Sequence, residues 1–527
     1  MLNYKKNMMK NIKIIVLALL GVFITSCNDE FLDLKPLESI SSENIFKDPA
    51  LASLYLNEVY QGIPDGFNRG WYMLDAASDD AENAYSWAAS NASFNTSSIT
   101  PANSPFNGAW GNSYRQIRRI NEFILNYNDL EGGANVVDRL KGEAHFLRAF
   151  YYAELLKHFG GVPIIKVPQN LEGDDLLVTR NTRLETLDFI VEELDAAIGF
   201  FATASSAGST RASLIGSHAL KGRVLLYEGR YTESAAASKK ALDIKSALDA
   251  NYQNIFLDDD TDEVIFDKQF KDPDKVHYGN LFNYPKSTRG ISGWGGTNPT
   301  QNLVDQYEMK ATGKMITDVT SGYDATNPYE GRDPRFYASI LYDGAEYYGV
   351  TIRTRPGGTE HIDTSGDWTK TGYSLKKLIQ NDQARRNSGT QHWVFMRVAE
   401  VHLNYAEALI EAGTSLGLAK ASIDMVRQRS EMPAITLSGQ AEMRTKVRHE
   451  RRIELAFEEH RFWDLRRWKI AGDPEVLNIY RMKMDTNGNF LGKDLWETRT
   501  WKDSHYLMPI PQSEMDKNKN LTQNKDY

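Results

Sequence analysis

Apolar positions recur every three to four residues over several long stretches of the chain. The segment SSENIFKDPALASLYLNEVYQGI opens on a serine suited to an N-cap, then places Leu51, Leu54, Tyr55 and Val59 on one helical face. The same period returns in YRQIRRINEFILNYNDL and in RLKGEAHFLRAFYYAELLKHFGG, the second closed by Gly160, Gly161 and Pro163. Residues 183–201 and 211–246 continue the pattern. Within 211–246, Ala219 and Tyr227 precede Gly229, and Tyr231 and Ala235 follow it. A small–aromatic, glycine-turn, aromatic–small order predicts a tetratricopeptide-like hairpin of two packed helices. A second such unit lies at 398–430, with Tyr405, Ala408 and Ala412 before Gly413. The two units lie about 190 residues apart, so they predict helix pairs stacked on one side rather than a continuous array. KVRHERRIELAFEEHRFWDLRRWKI reads as one further strong helix.

Elsewhere the period fades. Residues 62–112 are rich in Ser, Asn and Ala, carry Pro101 and Pro105, and read as long ordered loops. Residues 250–395 are irregular, with short strand patterns only in RFYASILY and YYGVTIRT. Loop content of that length, with many aromatics, is expected at a functional face. The fold expected is mostly α: tetratricopeptide-like helix pairs as scaffold, with a loop-rich, irregular face for ligand. The tail YLMPIPQSEMDKNKNLTQNKDY is expected to wrap the surface.

The N-terminus breaks this picture. Lys5, Lys6, Lys10 and Lys13 precede the apolar run IIVLALLGVFI, and then come Thr25, Ser26 and Cys27, the one cysteine of 527 residues. A basic start, a short apolar core and small residues before a cut site describe a secretory signal peptide. The run is about half the roughly 20 residues a transmembrane helix needs. A cysteine directly after the cut, in ITSC, resembles a bacterial lipobox. The expected organisation is a signal peptide over 1–26, a lipidated tether over 27–38 and a single domain over 39–527. That domain has an N-terminal part to 250 and a C-terminal part from 251, with the loop-rich insert at 251–395. Without residues 1–26 the chain has 57 basic and 70 acidic residues, a formal charge of −13. This excess of acid argues against nucleic acid and against loose adhesion to anionic lipid. With no second cysteine for a disulfide, stability falls to a large core.

Catalytic patterns are missing. The ten histidines show no metal-ligand spacing, and GWGG at 293–296 lacks the spacing of a nucleotide loop. Gly413–Gly417 matches G-x-S-x-G, but it lies between two helices, so Ser415 reads as a turn residue. The acidic pairs Asp79–Asp80, Asp258–Asp260 and Glu458–Glu459 are too common to indicate a glycosidase; the last faces Arg451, Arg452, Arg461, Arg466 and Arg467 in an expected ion-pair network. No cofactor is implied. A sugar offers an apolar C–H face and a rim of hydroxyls, so aromatic planes beside polar groups are the pattern to find. Two loops offer it: SDDAENAYSWAASN, with Asp79, Asp80, Asn83, Tyr85 and Trp87, and NYPKSTRGISGWGG, with Tyr284, Arg289 and Trp294. Trp71, Trp110, Trp368 and Trp393 are further candidates.

Seven segments together resemble the SusD/RagB family of outer-membrane nutrient-binding lipoproteins of Bacteroidota: CNDEFLDLKP, EAHFLRAFYYAELLKHFGGVPII, NPTQNLVDQYE, GRDPRF, RVAEVHLNYAEALIEAG, ERRIELAFEEHRFWDLRRW and the C-terminal LMPIPQSEMDKNKNLTQNKDY. They occur in the family's order across nearly the whole chain. One departure is Glu459–His460 before Arg461, where many members carry Gly-x-Arg, and a local packing change is expected there. The resemblance implies a non-catalytic glycan-capture protein, anchored in the outer membrane through Cys27 and facing the cell exterior. It also implies a partner, a SusC-like TonB-dependent barrel that the lipoprotein covers as a lid. Asp29 and Glu30 resemble the family's export signal. A peptide cargo on the same architecture is the alternative, and a glycoside hydrolase the less favoured one. If Cys27 carries the anchor, Cys27→Ala moves the protein out of the outer-membrane fraction on cell fractionation; an unchanged surface location contradicts the lipobox.

Overall fold

The computed structural model describes residues 45–67, 73–85, 93–170, 172–173, 175–204, 208–259, 261–286, 293–362, 368–380 and 382–527. The signal peptide, Cys27 and the tether lie outside them, as do Trp71, Trp87 and Arg289. The scaffold is helical: α1 (Pro49–Gln61), α2 (Asn107–Asn126), α3 (Ala134–Phe159), α4 (Arg183–Phe201), α5 (Leu214–Tyr227) and α6 (Tyr231–Ile244). After the irregular insert follow α7 (Val398–Glu411), α8 (Leu416–Arg429), α9 (Gln440–Glu454) and α10 (His460–Arg467). Local chemistry sets the ends. Asp48 caps α1 through the Ala50 N–H, with Pro49 at the first helical position. Thr182 and Glu185 form a reciprocal capping box on α4. Gly160, at φ 77° and ψ −142°, takes a positive-φ conformation open to glycine and ends α3.

The two tetratricopeptide-like units meet. Helix α5 packs on α6, α6 on α7 and α7 on α8, so pairs far apart in sequence form one stack. Gly229 makes the expected turn at φ 77°, and Ala219 and Ala235 are buried. The α5–α6 approach is close at Gly222, where a Cβ would sit 2.4 Å from Ser238 Oγ, and where Ser234 Oγ donates to the Gly222 carbonyl at 2.8 Å. Helix α7 is the centre of the stack: every residue from Val398 to Ile410 is buried. It carries two glutamates into that environment, and a buried charge is tolerated only when paired. Glu400 receives Arg223 from α5 at 2.7 and 2.5 Å, and Glu407 receives Arg467 from α10 at 2.7 Å on both oxygens. Ser415 sits exposed in the α7–α8 turn at φ 48°, as a linker residue.

Two strand pairs stitch the insert to the scaffold. Strand β1 (Ala81–Asn83) pairs with β3 (Thr297–Pro299), and β2 (Val264–Lys268) pairs with β4 (Trp393–Arg397), the latter running straight into α7; both pairs are antiparallel. A third antiparallel pair, β5 (Asn478–Met484) with β6 (Phe490–Thr498), is a hairpin that the sequence reading did not assign. Around these strands a second core forms, with Phe256, Tyr284, Tyr307, Phe336, Tyr373 and Phe457 among its buried members. Two expectations are corrected. RFYASILY is a helical turn over Pro334–Ser339, because Asp333 Oδ1 accepts from Arg335 N at 2.9 Å and Pro334 takes the first helical position; only Ile340–Leu341 is strand. The long helix expected after 446 is two helices. Buried Asp75 accepts from Phe457 N at 3.2 Å and Glu459 N at 3.3 Å, and both residues sit at φ 63°. Glu459, the departure noted above, thus occupies a left-handed position that glycine takes without strain. The tail packs as expected along 158–181: Met508 N donates to His158 O at 2.7 Å, and Asn518 Nδ2 to Val178 O at 2.8 Å.

Burial pushes the Glu407 carboxyl up, but Arg467, Arg451 and the Trp468 indole N–H outweigh it and hold it at about 2 against an ordinary 4.5. A depressed carboxyl stabilises the fold above its unfolded value and loses that contribution as pH falls through the folded one. The expected result is that Glu407 alone accounts for roughly 3 kcal/mol of stability lost between pH 4.5 and 2. Denaturant unfolding of Glu407→Gln against the parent chain checks it: the variant lacks that part of the acid slope.

Candidate functional site

The site grows from the β1–β3 pair. Asn83 lies opposite Thr297, and the Ala84 N–H extends the ladder to Gly296 O at 2.8 Å. This sets Tyr85 beside Trp294, with ring centroids 6.1 Å apart at 88°. The Trp294 loop folds back on the short helical turn Gly279–Asn283, its N–H donating to Leu281 O at 2.9 Å. That approach explains the GWGG stretch. A Cβ at Gly293 would meet Tyr284 O at 2.1 Å, and one at Gly296 would meet Phe282 O at 2.7 Å. The turn carries Phe282, 5.7 Å from Trp294, and Tyr278 lies four residues earlier, 6.1 Å from Phe282. Tyr278, Phe282, Trp294 and Tyr85 form a continuous ridge. Tyr278 is 48 % exposed, Phe282 and Trp294 are half-buried, and Tyr85 is buried with its hydroxyl donating to Phe282 O at 3.0 Å.

Polar groups flank the ridge. Buried Asn298 donates to Gly295 O at 2.8 Å and accepts from Lys370 N at 2.9 Å, tying the Trp294 loop to the chain that carries Trp368. Lys286 Nζ lies 5.0 Å from the Trp368 ring centroid. The turn itself is held from below by His277, stacked on Phe67 at 3.9 Å, whose Nδ1 accepts from Gly279 N at 3.0 Å. Burial pushes His277 down to about 4, so it is neutral at ordinary pH and its ring acts as an apolar, hydrogen-bonding support.

The candidates from sequence divide. Trp294 is on the ridge, and Trp368 lies with the polar flank. Asn83 is buried beneath, its Oδ1 accepting from Tyr85 N at 2.9 Å while its Nδ2 has no partner. Tyr284 is corrected: its ring is fully buried, and its hydroxyl donates to the carbonyls of Gln380 and Asp382, so it supports the turn from within the second core. Asp80 is corrected too. It and Asp79 are buried, with Arg452 bridging them at 2.6 and 2.9 Å and Arg461 clamping Asp79 at 2.8 Å. Burial pushes Asp80 up, while Arg452 and Arg461 hold Asp79 down to about 2. Trp110 and Trp393 are buried in the two cores. Tyr278 and Phe282 escaped the sequence reading. Their signal was an aromatic pair four apart on a turn too short to show a helical period.

Depth does not mark the ridge. A pocket of about 360 Å³ has Asp79, Arg452 and Arg461 in its wall, charges already spent on one another. A cavity of about 500 Å³ lies between the scaffold helices and the tail and shares only Trp393 with the aromatic candidates.

Residues 262–527 match the family model described as SusD family, and residues 30–226 match one described as starch-binding associating with outer membrane. The chain belongs to the SusD family. A SusD-like protein of Bacteroides fragilis superposes with a TM-score of 0.83 at 31% identity, over 93% of this chain and 100% of that one. A second B. fragilis protein, described as SusD-like and carbohydrate-binding, gives 0.80 at 27% identity over 91% and 100%. SusD-like protein P38 of Formosa agariphila is 23% identical over 495 residues, 88% of this chain and 92% of its own. The mostly helical fold expected from sequence is therefore that of the SusD family. No described helix is long and apolar enough to cross a membrane.

Proposed function

We propose that the protein captures a glycan on the Tyr278–Phe282–Trp294 ridge and takes no part in bond cleavage. The observation that carries this reading is the graded exposure of the ridge: rings anchored at one end in the protein and open at the other. Such rings stack on the C–H faces of sugars, and rigid backbone behind them keeps the entropy cost of ordering low. The Lys286–Trp368 pair adds a charged rim that reads hydroxyls or acid groups. The carbohydrate-binding description of the 27%-identical relative supports the same cargo.

The wider setting belongs to the same proposal. Cys27 holds the chain on the outer membrane by its acyl chains, the domain faces outward, and a SusC-like TonB-dependent barrel takes the glycan from it. Outer-membrane association is supported by the description of the family model matched at 30–226.

Calorimetry with a glycan drawn from an array screen tests the ridge. Trp294→Ala and Tyr278→Ala each weaken binding by about tenfold, or ~1.4 kcal/mol, with the melting temperature nearly unchanged. Tyr284→Ala, by contrast, removes a buried core ring and costs about 3–5 kcal/mol of stability. Full glycan affinity in the Trp294→Ala, Tyr278→Ala double variant rejects the site.

A further inference from the structure

The cavity of about 500 Å³ between α3, α5, α10 and the C-terminal tail has an apolar wall of Phe150, Leu220, Val224, Trp393, Phe395 and Trp463. Arg466 also lines it. That side chain is anomalous. It is 6 % exposed, yet it donates one hydrogen bond inside the protein, Nη1–H to Phe462 O at 3.0 Å, and its Nε has no partner. Its remaining contacts are rings: Phe462 at 3.4 Å, Trp501 at 5.3 Å and Phe94 at 5.9 Å from the guanidinium carbon.

Other buried arginines of this chain show what is missing. Arg148, Arg397 and Arg461 each present Nε and Nη2 together to the two oxygens of one carboxylate, Glu193, Glu458 and Asp79, at 2.7–2.8 Å. Arg332, which has no acid, donates instead to the carbonyls of Val304, Tyr307 and Pro328. Arg466 has neither arrangement. Five of the six acids on the cavity wall are engaged elsewhere: Glu154 by Lys157, Glu228 by Arg183, Glu458 by Arg397 and Lys377, Glu459 by the Leu74 N–H at 3.3 Å, and Asp503 by the Trp501 indole N–H at 3.1 Å; the sixth is Asp526 on the tail, and Arg466 forms an ion pair with none of them. A second cation, Lys469, lines the same cavity with its Nζ 3.7 Å from the Tyr506 ring centroid. Behind Trp501, His505 is buried with neither ring nitrogen partnered. A buried cation without a counter-ion is costly, and a cavity of this size suits a small molecule.

We propose that this cavity binds a compact carboxylate ligand with an apolar body, its carboxylate on Arg466 and Lys469 and its body against Trp393, Phe395 and Trp463. It is a site separate from the glycan ridge and stands or falls independently of it.

Calorimetry with phenylacetate and its neutral analogue phenylacetamide tests the proposal on the intact protein. The expected result is that phenylacetate binds and raises the melting temperature, while phenylacetamide binds at least about tenfold more weakly. Arg466→Met, which keeps the shape of the side chain without its charge, abolishes the preference for the acid and does not lower the melting temperature. Lys469→Ala, at an exposed position, weakens phenylacetate several-fold in a folded protein. Equal binding of acid and amide, no binding of either, or unchanged phenylacetate affinity in Lys469→Ala overturns the proposal. A large drop in melting temperature in Arg466→Met also overturns it, because the guanidinium would then be part of the scaffold.

Discussion

One carboxylate organises the molecule. Glu454, at the end of α9 and fully buried, is gripped by three guanidiniums: Arg335 at 2.9 Å, Arg397 at 2.6 Å and Arg429. Each cation reaches on to another acid. Arg335 pairs Asp333 and Glu450, Arg397 pairs Glu263 and Glu458, and Arg429 pairs Glu263. Lys377, pushed down to about 8 by burial, closes the set on Glu458 at 2.8 Å. These residues come from the insert, β4, the end of α8, α9 and the α9–α10 turn, all between 263 and 458. Burial raises the Glu454 carboxyl, but the three guanidiniums overwhelm it and hold it well below the ordinary range. Charges removed from water are stable only in near-complete mutual satisfaction, so the network admits one arrangement of the pieces that bring it. It welds the irregular insert to helices α8 and α9, and the aromatic ridge is built on that insert.

The division between what was legible in the sequence and what was not follows the range of the forces involved. Helices α1–α8 were readable because their apolar period and their caps are local: Gly229 and Gly160 mark turns by their own backbone preference. The helix break at Phe457–Glu459 was not, because it is imposed by the Asp75 carboxylate, about 380 residues away in sequence. RFYASILY alternates as a strand would, and the cap at Asp333 overrides the pattern. The β5–β6 hairpin had a local signal, Asn487–Gly488 at its turn, within strands too polar to stand out.

The site shows the same rule. Trp294, set among glycines, was legible as a ring with little local reason to be buried. Tyr284 and Asp80 have the right chemistry in the right loops, yet long-range partners absorb them, the Gln380 carbonyl for one and Arg452 for the other. Tyr278 and Phe282 gain meaning only once the Trp294 loop has folded back over them. A ligand surface in this fold is what remains of a polar, aromatic loop set after the buried network and the second core have taken their share.

Backbone hydrogen exchange on Glu454→Gln tests most directly whether this network is the weld between the insert and helices α8 and α9. The account predicts that protection falls together in β2, β4, the Pro334–Ser339 turn and α9, while α3 and α4 keep theirs, with roughly 3–5 kcal/mol lost across the affected segments. Loss confined to α9, with β2 and β4 as protected as in the parent chain, would contradict it.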